Sequence, residues 1–207
     1  GVLVHAPPAE KAFVADGHGV NRRQVMHNDF VIVGPAGDPA GIAGLSDATR
    51  ALNRIAETQS RFVSRGDDSG THKKERALWK KAGTEPGGEW YREAGQGMGR
   101  VLQMAGEMGA YTLTDRGTWL AYRADLPLEI RTEGDPRLHN PYGVIAVNPA
   151  EYPESDYRAF MRLIAWLTAP AGQRAIGAYR MNGDQLFIPD AVPAISALKI
   201  SSETQSR

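Results

Sequence analysis

A nine-residue stretch, SRGDDSGTH from Ser64 to His72, combines an arginine, two adjacent aspartates, hydroxyl side chains, glycines and a histidine. It follows the apolar run RFV and precedes the helical pattern THKKERALWKKAG. The order therefore predicts a strand, a loop and a helix that begins near Ser69. Three uses of this loop are open: a metal site, an adhesive RGD tripeptide, or a helix start that holds an anion.

The anion interpretation follows from the chemistry of a helix start. The N–H groups of Ser69, Gly70 and Thr71 would have no partner inside the helix, and such groups bind anions. Gly70 would let a ligand approach the backbone. Arg65 would add permanently charged, bidentate donors. The aspartates would then orient Arg65 and the loop and point away from the anion, although Asp68 or Ser69 could also serve only as a helix cap.

The metal interpretation uses Asp67, Asp68 and His72, since carboxylates and imidazole bind metal ions. The adjacent Arg65 disfavours a cation there, and the other histidines show no HxH or HExxH spacing. The sequence also lacks a GxSxG nucleophile motif and has no cysteine. We therefore predict no metal site and no catalytic residues. The RGD tripeptide is too short to indicate an adhesive function by itself.

A second glycine-rich segment, GQGMG from Gly95 to Gly99, precedes an amphipathic helical pattern. It matches neither a complete GxGxxG fingerprint nor a phosphate-binding GxxxxGK loop. The segment could be a closely packed helix start, or a second helix start directed at a ligand through Gly97 and Met98. We expect the Met98 side chain in the core.

A third segment, TLTDRGTW, begins within the strand-like run AYTLT and extends beyond its end. Thr112, Thr114, Asp115 and Arg116 could face a cleft. Alternatively, Asp115 caps the helix RGTWLAYR and Arg116 forms a surface ion pair.

The composition of the chain and the order of its predicted strands and helices limit the possible classes of protein. Among 207 residues, 24 Lys and Arg balance 24 Asp and Glu, so the zero net charge argues against binding nucleic acid. No apolar run is long enough to span a membrane. The chain opens without Met, which predicts a processed or truncated N-terminus. Strands alternate with helices, which predicts an α/β fold with a mainly parallel sheet and a frayed polar tail, KISSETQSR.

Several motifs in order resemble one family. FVSRGDDSGTHKKERALWKKAG, WYREAGQGMGRVLQMAGEMGAYTLTDRGTWL and EGDPRLHNPYGVIAVNP together look like the TupA-type tungstate-binding proteins, which are extracellular solute-binding proteins of ABC importers related to molybdate-binding proteins. VLVHAPPAEKAFVADGHG and NDFVIVGP fit the same pattern, so the resemblance extends to about Asp190.

This resemblance implies a two-lobed periplasmic-binding-protein fold of type II. HNDFVIVGP and NPYGVIAVNP would be its two crossover strands. Residues 1–30 and 143–207 would form lobe I, and residues 31–142 would form lobe II. The family pattern places a Thr/Ser-rich strand end and further elements before the equivalent of VLVHAP, so we expect lobe I to be incomplete in this sequence.

The resemblance also implies a function without catalysis or a cofactor. A tetrahedral oxyanion, tungstate or molybdate, would be captured in an interlobe cleft and passed to an ABC permease in the membrane. The protein would be a periplasmic or extracytoplasmic monomer, free or lipid-anchored through an upstream segment. The implied ligand-binding residues are Arg65, Ser69, Gly70 and Thr71, with Gly97, Met98, Thr114 and Asp115 nearby. A metal-dependent hydrolase using Asp67, Asp68 and His72, or a ligand-sensing module of the same fold, are the alternatives.

Overall fold

The strands of the computed structural model, which describes residues 1–191, follow the apolar runs of the sequence. They are β1 Val2–Val4, β2 Gly19–Pro35, β3 Phe62–Ser64, β4 Tyr91–Glu93, β5 Thr112–Asp115, β6 Leu128–Thr132, β7 His139–Val147, β8 Arg180–Met181, β9 Asp184–Gln185 and β10 Ile188–Pro189. The tail KISSETQSR, for which a frayed end is predicted, lies outside the described residues.

The helices fill the intervals between these strands. They are α1 Pro7–Ala15, α2 Ala48–Glu57, α3 Gly70–Ala82, α4 Met98–Met108, α5 Arg116–Tyr122, α6 Tyr157–Thr168 and α7 Pro170–Ala178, with short 3-10 turns at Arg123–Asp125 and Pro136–Leu138. Within residues 1–191, no helix has both the length and the apolar character needed to cross a membrane.

Local sequence explains where these helices begin and end. Asp47, Ser69, Asp115 and Asp156 each accept a hydrogen bond from the backbone N–H three residues further on, so they cap α2, α3, α5 and α6. Proline occupies the first turn of α1 and α7, where its missing N–H costs nothing. Helix α3 ends at Gly83, whose φ of 72° is available to glycine without steric strain.

The chain divides into two compact units. Unit 1 comprises Gly1–His27, Pro141–Tyr179 and residues 187–191, while unit 2 comprises Asn28–Asn140 and Arg180–Leu186. The chain crosses between the units inside β2 and again inside β7, which are the two segments predicted as crossover strands. Residues 180–186, which the sequence placed in lobe I, group instead with unit 2. The reason is local: Arg123 pairs with Asp184, and the Asn182 side chain donates to the Leu120 carbonyl oxygen.

Unit 1 is a small sheet covered by helices. Its strands follow the order β1, β7, the first part of β2, then β10. Its buried core consists of Val25, Met26, Val144, Ala146 and Ile164.

Unit 2 contains the longer sheet, in which β4, β3, β5, β2 and β6 are successive neighbours. Its core packs the side chains of β2, β3 and β5 against α2 and α3, and Trp79 lies edge-on to Phe62 at a ring distance of 5.4 Å.

The prediction of a mainly parallel sheet was wrong. β3 pairs with β4 in parallel, whereas β1 pairs antiparallel with β7, and β2 pairs antiparallel with β5, β6 and β10.

Candidate anion-binding site

Three helix starts share one edge of the unit 2 sheet. Strands β3 and β4 are parallel, with Ser64 opposite Glu93, and a parallel bridge joins Phe62 of β3 to Tyr111 just before β5. Their carboxyl ends therefore lie at the same edge. Helices α3, α4 and α5 begin there, which is where open α/β sheets bind ligands.

The loop between β3 and α3 is closed by Asp67. Its Oδ2 accepts a hydrogen bond from Arg65 Nε at 2.7 Å, and its Oδ1 accepts one from the Ser69 N–H at 3.1 Å. Gly66 has a φ of 62°, and a Cβ placed on it would lie 2.8 Å from the Glu93 Cβ. Glycine is therefore required where the loop passes β4.

Arg65 keeps part of its hydrogen-bonding capacity. The Arg65 side chain is 24% exposed, and its bond to Asp67 is the only side-chain hydrogen bond found for it among residues 1–191. The terminal nitrogens Nη1 and Nη2 thus remain available. The backbone N–H groups of Gly70 and Thr71 likewise have no hydrogen-bond partner in the described part of the chain, as the first turn of a helix predicts.

Ser69 differs from the predicted arrangement. Its N–H is not open but bonded to Asp67, as in an Asx turn. Its Oγ accepts the N–H of His72 at 3.3 Å, so Ser69, not Asp68, is the cap of α3.

Two buried side chains of α3 lie on the inner side of this loop. His72, 9% exposed, accepts the Asp68 N–H on Nδ1 at 3.0 Å. Because Nδ1 accepts, the ring proton is placed on Nε2. Glu75, 1% exposed, accepts hydrogen bonds from Tyr91 Oη at 2.8 Å and from Trp79 Nε1 at 3.2 Å.

Burial raises the pKa of Glu75 from its ordinary 4.5 to about 7. The opposing influences are the Tyr91 and Trp79 hydrogen bonds, the Ser64 hydroxyl and the Arg65 backbone N–H, which favour the charged form and lower the pKa. The Ser64 hydroxyl lies near this carboxyl group but outside strict hydrogen-bond geometry. Glu75 therefore links α3 to β4 through its hydrogen bond from Tyr91.

The glycine-rich segment before α4 is only partly suited to a ligand. Gly97 occupies the cap position of α4 without a side-chain hydrogen bond. The Met98 side chain is buried in the core, so only its backbone could face a ligand. A Cβ on Gly99 would lie 2.6 Å from the Tyr122 ring, so this glycine allows α4 to pack against α5.

The polar groups after β5 are occupied by structural contacts. Asp115 accepts the N–H and the hydroxyl of Thr118, at 2.9 Å and 2.6 Å, and so caps α5. The buried Thr114 hydroxyl donates to the Asp115 carbonyl oxygen at 3.2 Å. Arg116 forms a two-point pair with Asp29, at 2.5 Å and 2.7 Å, and a third bond to Glu133 at 2.6 Å.

Asp67, Asp68 and His72 do not assemble a metal site. Their candidate ligand atoms are not all within 4.8 Å of one another. Asp67 faces Arg65, the 85% exposed Asp68 side chain pairs with Lys73 at 3.2 Å, and His72 Nδ1 is occupied by a backbone N–H. This geometry disfavours the metal-dependent hydrolase.

The sequence interpretation missed the structural role of His72 and did not identify Glu75 as a residue of this region. A signal was present, because positions 71, 72, 75, 78 and 79 form the buried face of α3. A glutamate and a histidine on such a face need hydrogen-bond partners.

Comparison with known proteins identifies the family. The model of the PBP superfamily domain matches residues 2–171, most of the chain. This chain belongs to the PBP superfamily. Within this superfamily, it is similar to the tungstate-binding protein TupA of Peptoclostridium acidaminophilum, at 47% identity over 194 residues, which is 92% of this chain and 68% of that protein. The resemblance to tungstate-binding proteins and the periplasmic-binding-protein fold are thereby confirmed.

A solved structure gives the same relationship in three dimensions. The tungstate-binding protein TupA from Desulfovibrio alaskensis G20 has a TM-score of 0.84 and 47% identity, covering 92% of this chain and 78% of that one. A Haloferax volcanii protein described as an ABC transporter anion-binding protein is 54% identical to this chain over 196 residues, which is 92% of this chain. The chain spans 57% of the length of that Haloferax relative.

Proposed function

We propose that this chain is the substrate-binding component of an ABC importer and captures a tetrahedral oxyanion, tungstate or the similarly sized molybdate, without catalysis. The observation that carries the proposal is the pairing of Arg65 with the start of α3. Two guanidinium nitrogens and the N–H groups of Gly70 and Thr71 lie at one loop without hydrogen-bond partners among residues 1–191. The similarity to proteins named for tungstate binding supports this ligand class.

Capture is reversible and electrostatic. The permanent charge of Arg65 and the positive end of the α3 dipole both stabilise a bound dianion. Nanomolar affinity requires about −12 kcal/mol. A hydrogen bond to a charged group contributes roughly 1.5–3 kcal/mol, so about four to eight donors are needed. The β3–α3 loop supplies only some of them.

Further donors at the same sheet edge complete the unit 2 contribution. We place the backbone N–H groups of Gly97 and Met98 in this set, but not the hydroxyl of Thr114, which is buried and already donates its hydrogen to the Asp115 carbonyl oxygen. Asp115 and Ser69 act differently. The Asp115 carboxylate already caps α5 and the Ser69 N–H is already bonded to Asp67, so they shape the site around the ligand.

The proposed function implies a membrane permease as partner and a periplasmic or extracytoplasmic location. The relatives' descriptions name an ABC transporter in one case and tungstate binding in the other, which supports a transport role. We propose that the chain acts as a monomer and uses no cofactor.

Calorimetric titration with tungstate, in the presence of excess sulfate, tests this function. Sulfate has the same charge and shape but is smaller, so a cavity sized for tungstate should reject it. We expect one-to-one binding that survives sulfate, and molybdate competition would then rank the two larger oxyanions. A folded chain that binds neither tungstate nor molybdate would refute the proposal.

A further inference from the structure

The His72 ring reaches back to the loop that precedes its own helix. Nδ1 accepts the N–H of Asp68 at 3.0 Å. The ring is almost fully buried, and its Nε2 lies 3.7 Å from Glu93 Oε1 on β4 without a hydrogen bond. The imidazole therefore connects the loop to the body of unit 2.

The Asp68 backbone needs such support. Its φ is 58°, in the left-handed region that non-glycine residues adopt at an energetic cost. The exposed side chain of Asp68 reaches outward to Lys73. The bond from the Asp68 N–H to His72 is thus an inward contact that holds this turn.

The turn at Asp68 lies between the two parts of the proposed ligand shell. Arg65 is three residues before it, and the open N–H groups of Gly70 and Thr71 are two and three residues after it. Asp67 joins Arg65 to Ser69 on the outer side of the loop. A shift of the Asp68 peptide would therefore move the guanidinium and the helix start relative to each other.

We propose that His72 is a positioning residue of the anion site: by accepting the Asp68 N–H on Nδ1, it fixes the spacing between Arg65 and the first turn of α3. The inference rests on the proposed function, because the geometry it preserves is that of the oxyanion donors. His72 itself does not touch the ligand. Its contribution is to preorganise donors that would otherwise have to be ordered on binding.

Two amide substitutions separate this role from burial or size. In His72→Asn, the side-chain oxygen is the same number of bonds from the backbone as Nδ1, so it can accept the Asp68 N–H. In His72→Gln, the oxygen is one bond further out and leaves that N–H without its partner. Both variants replace a ring by a neutral amide, so each controls for the other.

We expect His72→Gln to weaken tungstate binding about tenfold, since the loss of one hydrogen bond is on the order of 1.4 kcal/mol, which is tenfold. We expect His72→Asn to bind within about threefold of the wild type by the same scale. Thermal unfolding of both variants confirms that the compared proteins are folded. Equal affinities for the wild type and His72→Gln would overturn the proposal, as would equal losses in the two variants.

Coupling to Arg65 supplies a further test. If His72 acts by placing Arg65, the loss caused by His72→Gln should be smaller in an Arg65→Ala background than in the wild type. Fully additive losses would contradict positioning of Arg65.

Hydrogen exchange at the Asp68 amide of the ligand-free protein should be about tenfold faster in His72→Gln, as loss of one such bond implies. Unchanged exchange would show that Nδ1 does not hold this amide.

These readouts distinguish the two levels of the proposal. If the wild type binds no tungstate in the titration, the proposed function fails and the positioning role fails with it. If the wild type binds and His72→Gln binds equally well, only the role of His72 fails.

Discussion

Asp67 holds Arg65 by one edge of its guanidinium: Nε donates to Oδ2 at 2.7 Å, while Oδ1 of the same carboxylate accepts the Ser69 N–H. One acid thereby fixes both a cation and a helix start. Hydrogen bonding to Ser69 and Arg65 outweighs desolvation and lowers the pKa of Asp67, so it stays ionised at neutral pH. The other edge of Arg65, with Nη1 and Nη2, has no hydrogen-bond partner among residues 1–191.

The effect of Asp67→Ala on binding should reveal which property of Asp67 matters. Removing a negative charge near a dianion would strengthen binding if charge alone counted. Because Asp67 orients Arg65 and closes the loop, we expect weaker tungstate binding, by roughly five- to tenfold for the lost hydrogen bonds. Titration of the wild type and the variant with tungstate at one ionic strength shows whether the substitution weakens or strengthens binding. Stronger binding by Asp67→Ala would show that Asp67 competes with the anion for the same donors.

Ser69→Ala should reduce stability as well as binding. The Ser69 Oγ caps α3 at the His72 N–H, and loss of such a cap costs about 1 kcal/mol. Denaturant unfolding should show this decrease. Ser69→Asn retains a capping oxygen and should restore most of it. An unchanged free energy of unfolding in Ser69→Ala would mean that the cap is not formed in solution.

Glu75→Gln should change how stability depends on pH. Because burial raises the Glu75 pKa from 4.5 to about 7, the folded state binds a proton that the unfolded state releases in this interval. The free energy of unfolding contributed by Glu75 therefore falls as pH rises from 4.5 to 7, by up to roughly 3 kcal/mol. Glutamine accepts the Trp79 and Tyr91 hydrogen bonds without ionising, so we expect the variant to lack this decrease.

Urea unfolding of the wild type and Glu75→Gln at pH 4.5, 6 and 8 measures this difference. We expect the two proteins to be similar at pH 4.5 and the variant to be more stable at pH 8. Glu57→Gln, at an exposed position on α2, controls for the loss of one negative charge. A difference between wild type and Glu75→Gln that is the same at all three pH values would contradict the raised pKa.

Two arginines at the same sheet edge should behave differently. Arg116 is bound by Asp29 and Glu133 on three hydrogen bonds, which raise its pKa, whereas Arg65 has only Asp67. Arg116→Met should therefore lower the free energy of unfolding by about 1–3 kcal/mol, as loss of charged hydrogen bonds does, because it leaves two carboxylates unpaired. Tungstate affinity of the folded variant should stay within about threefold of the wild type. A large loss of affinity with unchanged stability would place Arg116 in the ligand shell.

The local elements were the most predictable part of this molecule. Apolar runs and capping residues predicted β3, the loop and α3, and the Gly83 end of that helix agrees with the structure. Strand direction was not predictable in the same way, because alternation of strands and helices does not reveal that β2 runs antiparallel to β5 and β6. The direction depends on pairing between distant segments.

The loop shows the same division within the candidate site. That Asp67 orients Arg65 follows from charges two residues apart, and the structure contains this contact. That Asp67 also occupies the Ser69 N–H depends on the turn geometry, in which Gly66 and Asp68 both have positive φ. The contacts from His72 to Asp68 and from Glu75 to Tyr91 require the packed faces of α3 and β4, so residue types alone did not predict them.

Paired titrations of the wild type and Arg65→Ala with tungstate, under identical salt and pH, test the central claim most directly. Arg65 is expected to supply two charged hydrogen bonds, roughly 3 kcal/mol in total, so the variant should bind about 100-fold more weakly while remaining folded. Arg65→Lys keeps the charge but not the paired nitrogens, and should fall between the two. An Arg65→Ala protein that binds tungstate as tightly as the wild type would show that the anion is held elsewhere.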